Sequence, residues 1–232
     1  MRLWLRAGSP RADHEELAEL AARADIPVET VDRSAIDELA GADAQTQGVA
    51  LEAGPIPELS LRALIDLARS SHGSSGGQRI VALDGVEDPQ NVGAVARVAE
   101  SAGAVGMVLT DRRAPLLTPA VSRASAGAIE WLPVARVPNL SRALERLKQE
   151  GFWVLAAELE RGASLFEMPD RLLTGDLVVL LGAEGKGVRP GVLKMADHRV
   201  AIPMRGQVAS LNVSTAGAVI LYELLRRAPV GS

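Results

Sequence analysis

The sequence predicts an α/β protein, with a mostly parallel sheet covered by helices and a smaller α/β unit ahead of it. Two observations carry the fold class. From about residue 79 to residue 227, short apolar runs alternate with helix-like segments, the pattern of strand–helix–strand repeats. Some runs are apolar without interruption, as at Val178-Val179-Leu180-Leu181, which suits strands buried on both faces. A third observation sets the layout. Ser70-Ser71-His72-Gly73-Ser74-Ser75-Gly76-Gly77 is rich in Gly and Ser and bare of large apolar groups, as a linker would be. The expected organisation is a first unit over 1–53, a connecting segment over 54–77 and a second unit over 78–232.

Element by element, the first unit reads strand (Arg2 to Arg6), helix (about His14 to Ala24), strand (Val28 to Val31), helix (about Arg33 to Leu39) and strand (Gly48 to Leu51). A further helix, about Leu59 to Ala68, leads into the linker. This unit is too small to hold a catalytic centre of its own, and no polar cluster in it suggests one. In the second unit, strands are expected at Arg79–Leu83, Val105–Leu109, Ile129–Val134, Phe152–Ala157, Leu177–Leu181 and Val200–Ile202. Helices are expected near Val92–Ala102, Pro119–Ala126, Leu140–Glu150, Pro190–Met195 and Val213–Arg227. The helix near Leu140 is punctuated by Asn139 or Ser141 as a cap and by Gly151 as a stop. The last helix carries Val213, Ala216, Val219, Ile220, Leu221, Leu224 and Leu225 around most of its circumference. A helix apolar on several sides is buried on several sides, so a homodimer is expected, with burial inside one large domain as the alternative.

Composition narrows the chemistry. The chain of 232 residues is 47% hydrophobic, enough for a real core, and has no Cys. That removes a disulfide framework, a thiolate nucleophile and any Cys-based zinc site. His14, His72 and His198 stand far apart, so neither a metal cluster nor a Ser-His-Asp site is expected from them. No apolar run approaches the ~18 residues of a membrane span, and the amino terminus lacks a signal-peptide layout. A cytoplasmic protein without metal or membrane partner is expected. The net charge of −4 is uneven. Residues 1–76 carry 7 basic against 13 acidic side chains, whereas residues 77–232 carry 18 against 16. Arg97, Arg112, Arg113, Arg123, Arg136 and Arg205 of the second part could line one face, although a solvated mixed-charge surface explains any one of them equally well.

Three short segments each follow an apolar run, where open α/β sheets place ligands. They are Asn91-Val92-Gly93-Ala94-Val95-Ala96-Arg97, Leu181-Gly182-Ala183-Glu184-Gly185-Lys186-Gly187, and Ile202-Pro203-Met204 running on to Ser210-Leu211-Asn212-Val213-Ser214. The second is not a P-loop: two residues, not four, separate its first Gly from Gly185-Lys186, and Gly187 follows where Ser or Thr is required. The dinucleotide spacing of glycines is also absent. Taken alone it is a tight turn, able to bring backbone close to a flat ligand because no Cβ intervenes. In the third segment, Ser or Asn can cap the long helix, with Ser214 the expected cap, yet three polar residues around Leu211 exceed what one cap needs. Leu181, Ile202 and Leu211 could sandwich an adenine. For Arg97 the ordinary reading is a surface ion pair with Glu100 or Glu130.

Together, Asn-x-Gly-x-x-x-Arg, Gly-x-Glu-Gly-x-Gly, and Ile-Pro followed by Ser-x-Asn-x-Ser resemble the signature motifs of the SpoU (TrmH-like) 2′-O-ribose RNA methyltransferases of the SPOUT superfamily, over about Ile80 to Arg227. Each motif alone is weak, but the ordered triple is strong. The first unit is similar to the ribosomal-protein-like RNA-binding domain of the RlmB-type ribosomal RNA branch, with Gln45-Thr46-Gln47-Gly48-Val49-Ala50 at its end. The branch usually has His where Thr46 stands, and a helix that this chain lacks before Arg2.

The resemblance implies a carboxy-terminal trefoil knot with S-adenosyl-L-methionine (AdoMet) held bent within it, near Leu181, Gly182, Ile202 and Leu211. It implies a catalytic set of Arg97, Asn91, Glu184, Ser210 and Asn212. In the family the residue at Arg97 is often described as the base. Because an arginine side chain is a permanent cation, the chemistry favours gripping a phosphate and stabilising alkoxide charge. Asn91 would orient the ribose or Arg97, and Glu184 would fix Asn91 or the substrate. The implied reaction is 2′-O-methylation of a ribose in 23S ribosomal RNA, a guanosine above all. A transfer-RNA guanosine, or a ribosomal adenosine of the antibiotic-resistance type, is the alternative substrate. A non-catalytic RNA-binding protein of the same fold is the alternative of a different class, and a dinucleotide oxidoreductase is a distant third.

Overall fold

A computed structural model describes residues 1–8, 12–40, 46–70 and 77–228 of the chain. Contacts divide it into two compact units, Met1–Pro55 and Ile56–Ser232. Most of the Gly-Ser stretch expected as a linker, 71–76, lies outside the described residues.

The first unit follows the expected order: β1 (Arg2–Arg6), α1 (Ala12–Arg23), β2 (Val28–Val31), α2 (Arg33–Ala40) and β3 (Val49–Glu52). β1 lies between the other two strands, parallel to β2 and antiparallel to β3. Leu3, Leu5 and Ala21 form a small core, with Leu17, Ala18, Ile26 and Val49 packed on it. The turn into β3 needs Gly48: its φ is +85°, and a Cβ there would stand 3.1 Å from that of Arg6.

The second unit is built from α3 (Leu61–Ser70), β4 (Arg79–Asp84), α4 (Pro89–Ser101), β5 (Gly106–Thr110), α5 (Pro119–Ala124), β6 (Val134–Val137), α6 (Leu140–Gln149), β7 (Trp153–Ala157), β8 (Ala163–Ser164), β9 (Leu177–Gly182), α7 (Pro190–Leu193), β10 (His198–Ala201) and α8 (Val213–Arg227). Its seven strands lie in the order β6-β5-β4-β9-β7-β10-β8. Every pairing between them is parallel. Side chains alternate faces along a strand, so β4 alone feeds two cores. Val81 and Leu83 pack with Val92, Val95 and Ala96 of α4 and with Ile220, Leu221 and Leu224 of α8. Ile80 and Ala82 pack with Leu64, Ile65 and Ala68 of α3 and with Leu144 and Leu147 of α6. Because all strands run the same way, their carboxyl ends meet along one edge, and the loops carrying the three motifs leave from there.

The sequence reading needs four corrections. First, the segment 54–77 is not merely a connector, because α3 within it buries Leu64, Ile65 and Ala68 in the second unit. Leu59 N also donates to Val134 O at 2.7 Å. Second, the strand expected at Ile129–Val134 lies instead at Val134–Val137. Residues Ala128–Glu130 form a 3₁₀ turn entered through Gly127 at φ +83°, and β6 begins after Pro133, which has no N–H to give a ladder. Ile129 and Leu132 read as strand because they are apolar, but they are buried in the core shared with α4. Third, α4 starts three residues early. Asp88 caps it by accepting from Gln90 N at 2.9 Å, and Pro89 takes its first turn, so Asn91 lies on the helix. Fourth, the two-residue strand β8 beside β10 was not expected. No helix among the described residues is long and apolar enough to cross a membrane.

Candidate active site

At the carboxyl end of β9 the chain turns back on itself. A Cβ at Gly182 would fall 2.0 Å from the carbonyl carbon of Gly187 and 2.1 Å from Val188 N, so only glycine allows the loop to close here. Gly187 N donates to Ala183 O at 2.8 Å, and Gly185 and Gly187 take φ of +73° and +63°. The loop is tied to β4 beneath it. Ala183 N donates to Asp84 O at 3.1 Å, while the buried Asp84 carboxylate accepts from Arg189 N and Arg189 Nε, both at 2.8 Å. Hydrogen bonding to Asp84 holds the Arg189 guanidinium above its ordinary pKa. Asp84 and Arg189 were missed in the sequence as site-building residues. The available signal was a carboxylate closing an otherwise apolar strand.

A cleft of 530 Å³ opens between this loop, the segment after β10 and the start of α8. All four residues expected to hold a cofactor, Leu181, Gly182, Ile202 and Leu211, line it, as do Glu184 and Ser210. Val200, Val213 and Ile220 extend its apolar wall, and Glu158 and Glu160 reach it from the end of β7. Its size is that of a small-molecule site, and of the carboxylates at its margin Glu158 accepts from Arg199 Nη1 at 3.2 Å. Gly217 lets α8 pass close above Leu181, since a Cβ there would stand 3.0 Å from Leu181 Cδ1.

Asn91 and Asn212 do not line the cleft but meet beside it. Asn212 Nδ2 donates to Asn91 Oδ1 at 2.9 Å. Asn212 is also the cap of α8: its Oδ1 accepts from Ser214 N at 2.8 Å and from Ser214 Oγ at 2.7 Å. The cap is therefore Asn212, not Ser214, because the chain turns into the helix one residue before Val213. Asn91 is held by Asn212 and not by Glu184, which is exposed and makes no hydrogen bond among the described residues. Arg97 stands exposed on α4, which packs along α8. It pairs with neither Glu100 nor Glu130; the latter takes the hydroxyl of Ser122 at 2.5 Å. Among the described residues Arg97 makes no hydrogen bond or ion pair, so its guanidinium is available to a ligand. No group of metal-ligating side chains occurs among the described residues.

The model of the SpoU rRNA Methylase family matches residues 78–222, the whole stretch that builds the cleft. The chain belongs to the SpoU rRNA methylase family. A second family model, RNA 2′-O ribose methyltransferase substrate binding, matches residues 1–59. Among relatives, the chain is 37% identical to the 23S rRNA (guanosine-2′-O-)-methyltransferase RlmB of Pseudomonas putida, covering 99% of this chain and 89% of that one. It is 38% identical to RlmB of Pseudomonas aeruginosa, over 97% of this chain and 88% of that one. Among solved structures, an RNA 2′-O ribose methyltransferase superposes with a TM-score of 0.73 at 26% identity, covering 97% and 80% of the two chains. An AdoMet-bound rRNA methyltransferase from Sinorhizobium meliloti gives a TM-score of 0.74 at 24% identity, over 99% and 80%, a likeness of fold. This SpoU chain therefore shares its fold with those structures.

Proposed function

We propose that the chain transfers a methyl group from AdoMet to the 2′-hydroxyl of a guanosine ribose in 23S ribosomal RNA. The observation that carries this reading is the convergence of separated segments: residues of 182–188 and 202–213 line one cleft, and Asn91 meets Asn212 at its flank. The names of the RlmB relatives supply the substrate, and the family supplies the reaction.

AdoMet supplies an already activated methyl group, leaving positioning and one proton to the protein. Leu181, Ile202 and Leu211 would hold the adenine between them, with the loop that Gly182 closes supplying backbone at its edge. With AdoMet bound, its methyl carbon would pass to the ribose 2′-oxygen as the sulfur–carbon bond breaks, and the hydroxyl proton would leave to phosphate or water. An arginine side chain serves as a permanent cation, so Arg97 grips the phosphate and stabilises alkoxide charge instead of taking the proton. Asn91 orients the ribose, with Asn212 acting through it as a positioning residue. Glu184 and Ser210 complete the polar wall against the RNA.

The same reading includes the trefoil knot through the loops of this cleft, a cytoplasmic location and RNA contact by the first unit. It also includes a homodimer that covers Tyr222 and Leu225, 49% and 48% exposed on α8. Incubation with methyl-labelled AdoMet and unmodified 23S ribosomal RNA, followed by mapping of the label, tests the proposal. Label on a guanosine 2′-oxygen is expected. Label confined to transfer RNA, or to a base, overturns it.

A further inference from the structure

The loop between β5 and α5 leaves the same sheet edge as the cleft loops. In the order β5-β4-β9 it lies two strands from Gly182, roughly 10 Å across the sheet at the usual strand spacing. It exposes Arg112, Arg113 and Leu116, the last 71% exposed. Neither guanidinium makes a hydrogen bond or ion pair among the described residues, and Asp111 is the one acidic side chain in the loop.

The loop is nonetheless fixed. Arg136, whose side chain is only 12% exposed, reaches up from β6 and donates to Thr110 O and to Pro115 O, both at 2.9 Å. Its Nε grips both carboxylate oxygens of Glu58 at 2.9 Å. Ala114 and Leu117 are packed against the core, and the Thr110 hydroxyl donates to Arg112 O. Arg113 is held at φ +64°, a conformation a side-chain-bearing residue adopts at a cost unless the surroundings require it. The molecule thus clamps a short loop that presents two adjacent guanidiniums, neither of them paired among the described residues, and one bare leucine. A preorganised cationic fork beside an apolar side chain matches single-stranded nucleic acid, with phosphates for the arginines and a base or sugar face for the leucine.

We infer that Arg112 and Arg113 grip the RNA backbone flanking the target nucleotide, with Leu116 against a neighbouring base, forming a second RNA contact outside the AdoMet cleft. This rests on the methyltransferase reading, and the test separates the two. The full chain and the Arg112→Gln/Arg113→Gln double variant are compared by calorimetric titration with AdoMet, by binding of a 23S ribosomal RNA transcript across salt concentrations, and by steady-state methyl transfer. Unchanged AdoMet affinity serves as the control for folding. The expected result is a KM for RNA at least tenfold higher with kcat within about twofold. The slope of log affinity against log salt should become shallower by about 1.4, for two lost single-strand phosphate contacts. An unchanged salt slope and KM overturn the inference, as does a lost kcat with RNA binding intact. A wild-type chain that binds RNA through these arginines but transfers no methyl group overturns the methyltransferase reading and leaves this contact standing.

Discussion

Asn212 Nδ2 donates to Asn91 Oδ1 at 2.9 Å, across 121 residues of sequence, while Asn212 Oδ1 caps α8. One side chain thus fixes the start of the last helix and the first turn of α4 together. Replacing Asn212 with Ala should cost about 1–2 kcal/mol in denaturant unfolding, from the lost cap and an unsatisfied Asn91. Methyl transfer should fall on the order of 100-fold through misplacement of Asn91. Asn212→Asp keeps the capping oxygen but not the donor, so stability should stay close to wild type while activity still falls.

Arg97 should separate binding from chemistry. Arg97→Ala is expected to keep AdoMet affinity within about twofold by calorimetry and to lose on the order of 1000-fold in methyl transfer, as when a preorganised charge stabiliser is removed. Arg97→Lys keeps the charge but not the planar fork, and should recover only part of the loss. Near-normal turnover by Arg97→Ala would remove this residue from the mechanism.

Gly182→Ala drives a methyl group into the backbone of Gly187 and Val188, neither of which is a flexible side-chain end that could swing away. The loop must shift as a whole. A loss of about 1–3 kcal/mol in stability is expected, with at least a tenfold loss of AdoMet affinity. Gly191→Ala is the matched control, since an added Cβ there meets nothing within 4 Å and it lies outside the cleft.

Acid should loosen the far end of α8. Hydrogen bonds from Arg226 first, then Arg227, hold the buried Glu223 carboxyl down at about 2, from an ordinary 4.5, against the opposing effect of burial. Arg227 in turn donates to the carbonyls of Leu165, Phe166 and Met168, tying α8 to that segment. A depressed folded pKa gives stability that is present above the unfolded value and is lost as pH falls from about 4.5 towards 2. With Arg226 largely exposed, about 2 kcal/mol is expected from this group. Urea unfolding at pH 6 and pH 3 should show that loss in the wild type, and Glu223→Gln should remove this part of the pH dependence.

Much of this was legible from periodicity. The spans of β1, β2 and α8 match the expected residues end for end, β1 because Leu3-Trp4-Leu5 is an apolar run between two arginines and β2 because Pro27 and Asp32 bracket it. Leu181, Gly182, Ile202 and Leu211 do line one cleft, and that grouping came from the ordered motifs together with the family they resemble. Ile129 and Leu132 were misread, because an apolar residue buried by a 3₁₀ turn looks the same in sequence as one buried by a strand. The third segment's polar residues were seen, but which of them capped the helix was not, because that depends on a single turn of backbone.

By itself the sequence determined the alternation of strands and helices, the motif spacing and the family they resemble, since all of these reside in local residue order. The tertiary structure decided the partners: Asn212 rather than Glu184 for Asn91, Asp84 for Arg189, and, among the described residues, no acid for Arg97. It also decided that Arg136 is buried beneath a loop whose neighbouring arginines are exposed. Those outcomes depend on which strand ends lie side by side at the sheet edge, and hydrogen bonds between residues about a hundred positions apart leave no periodic trace in the chain.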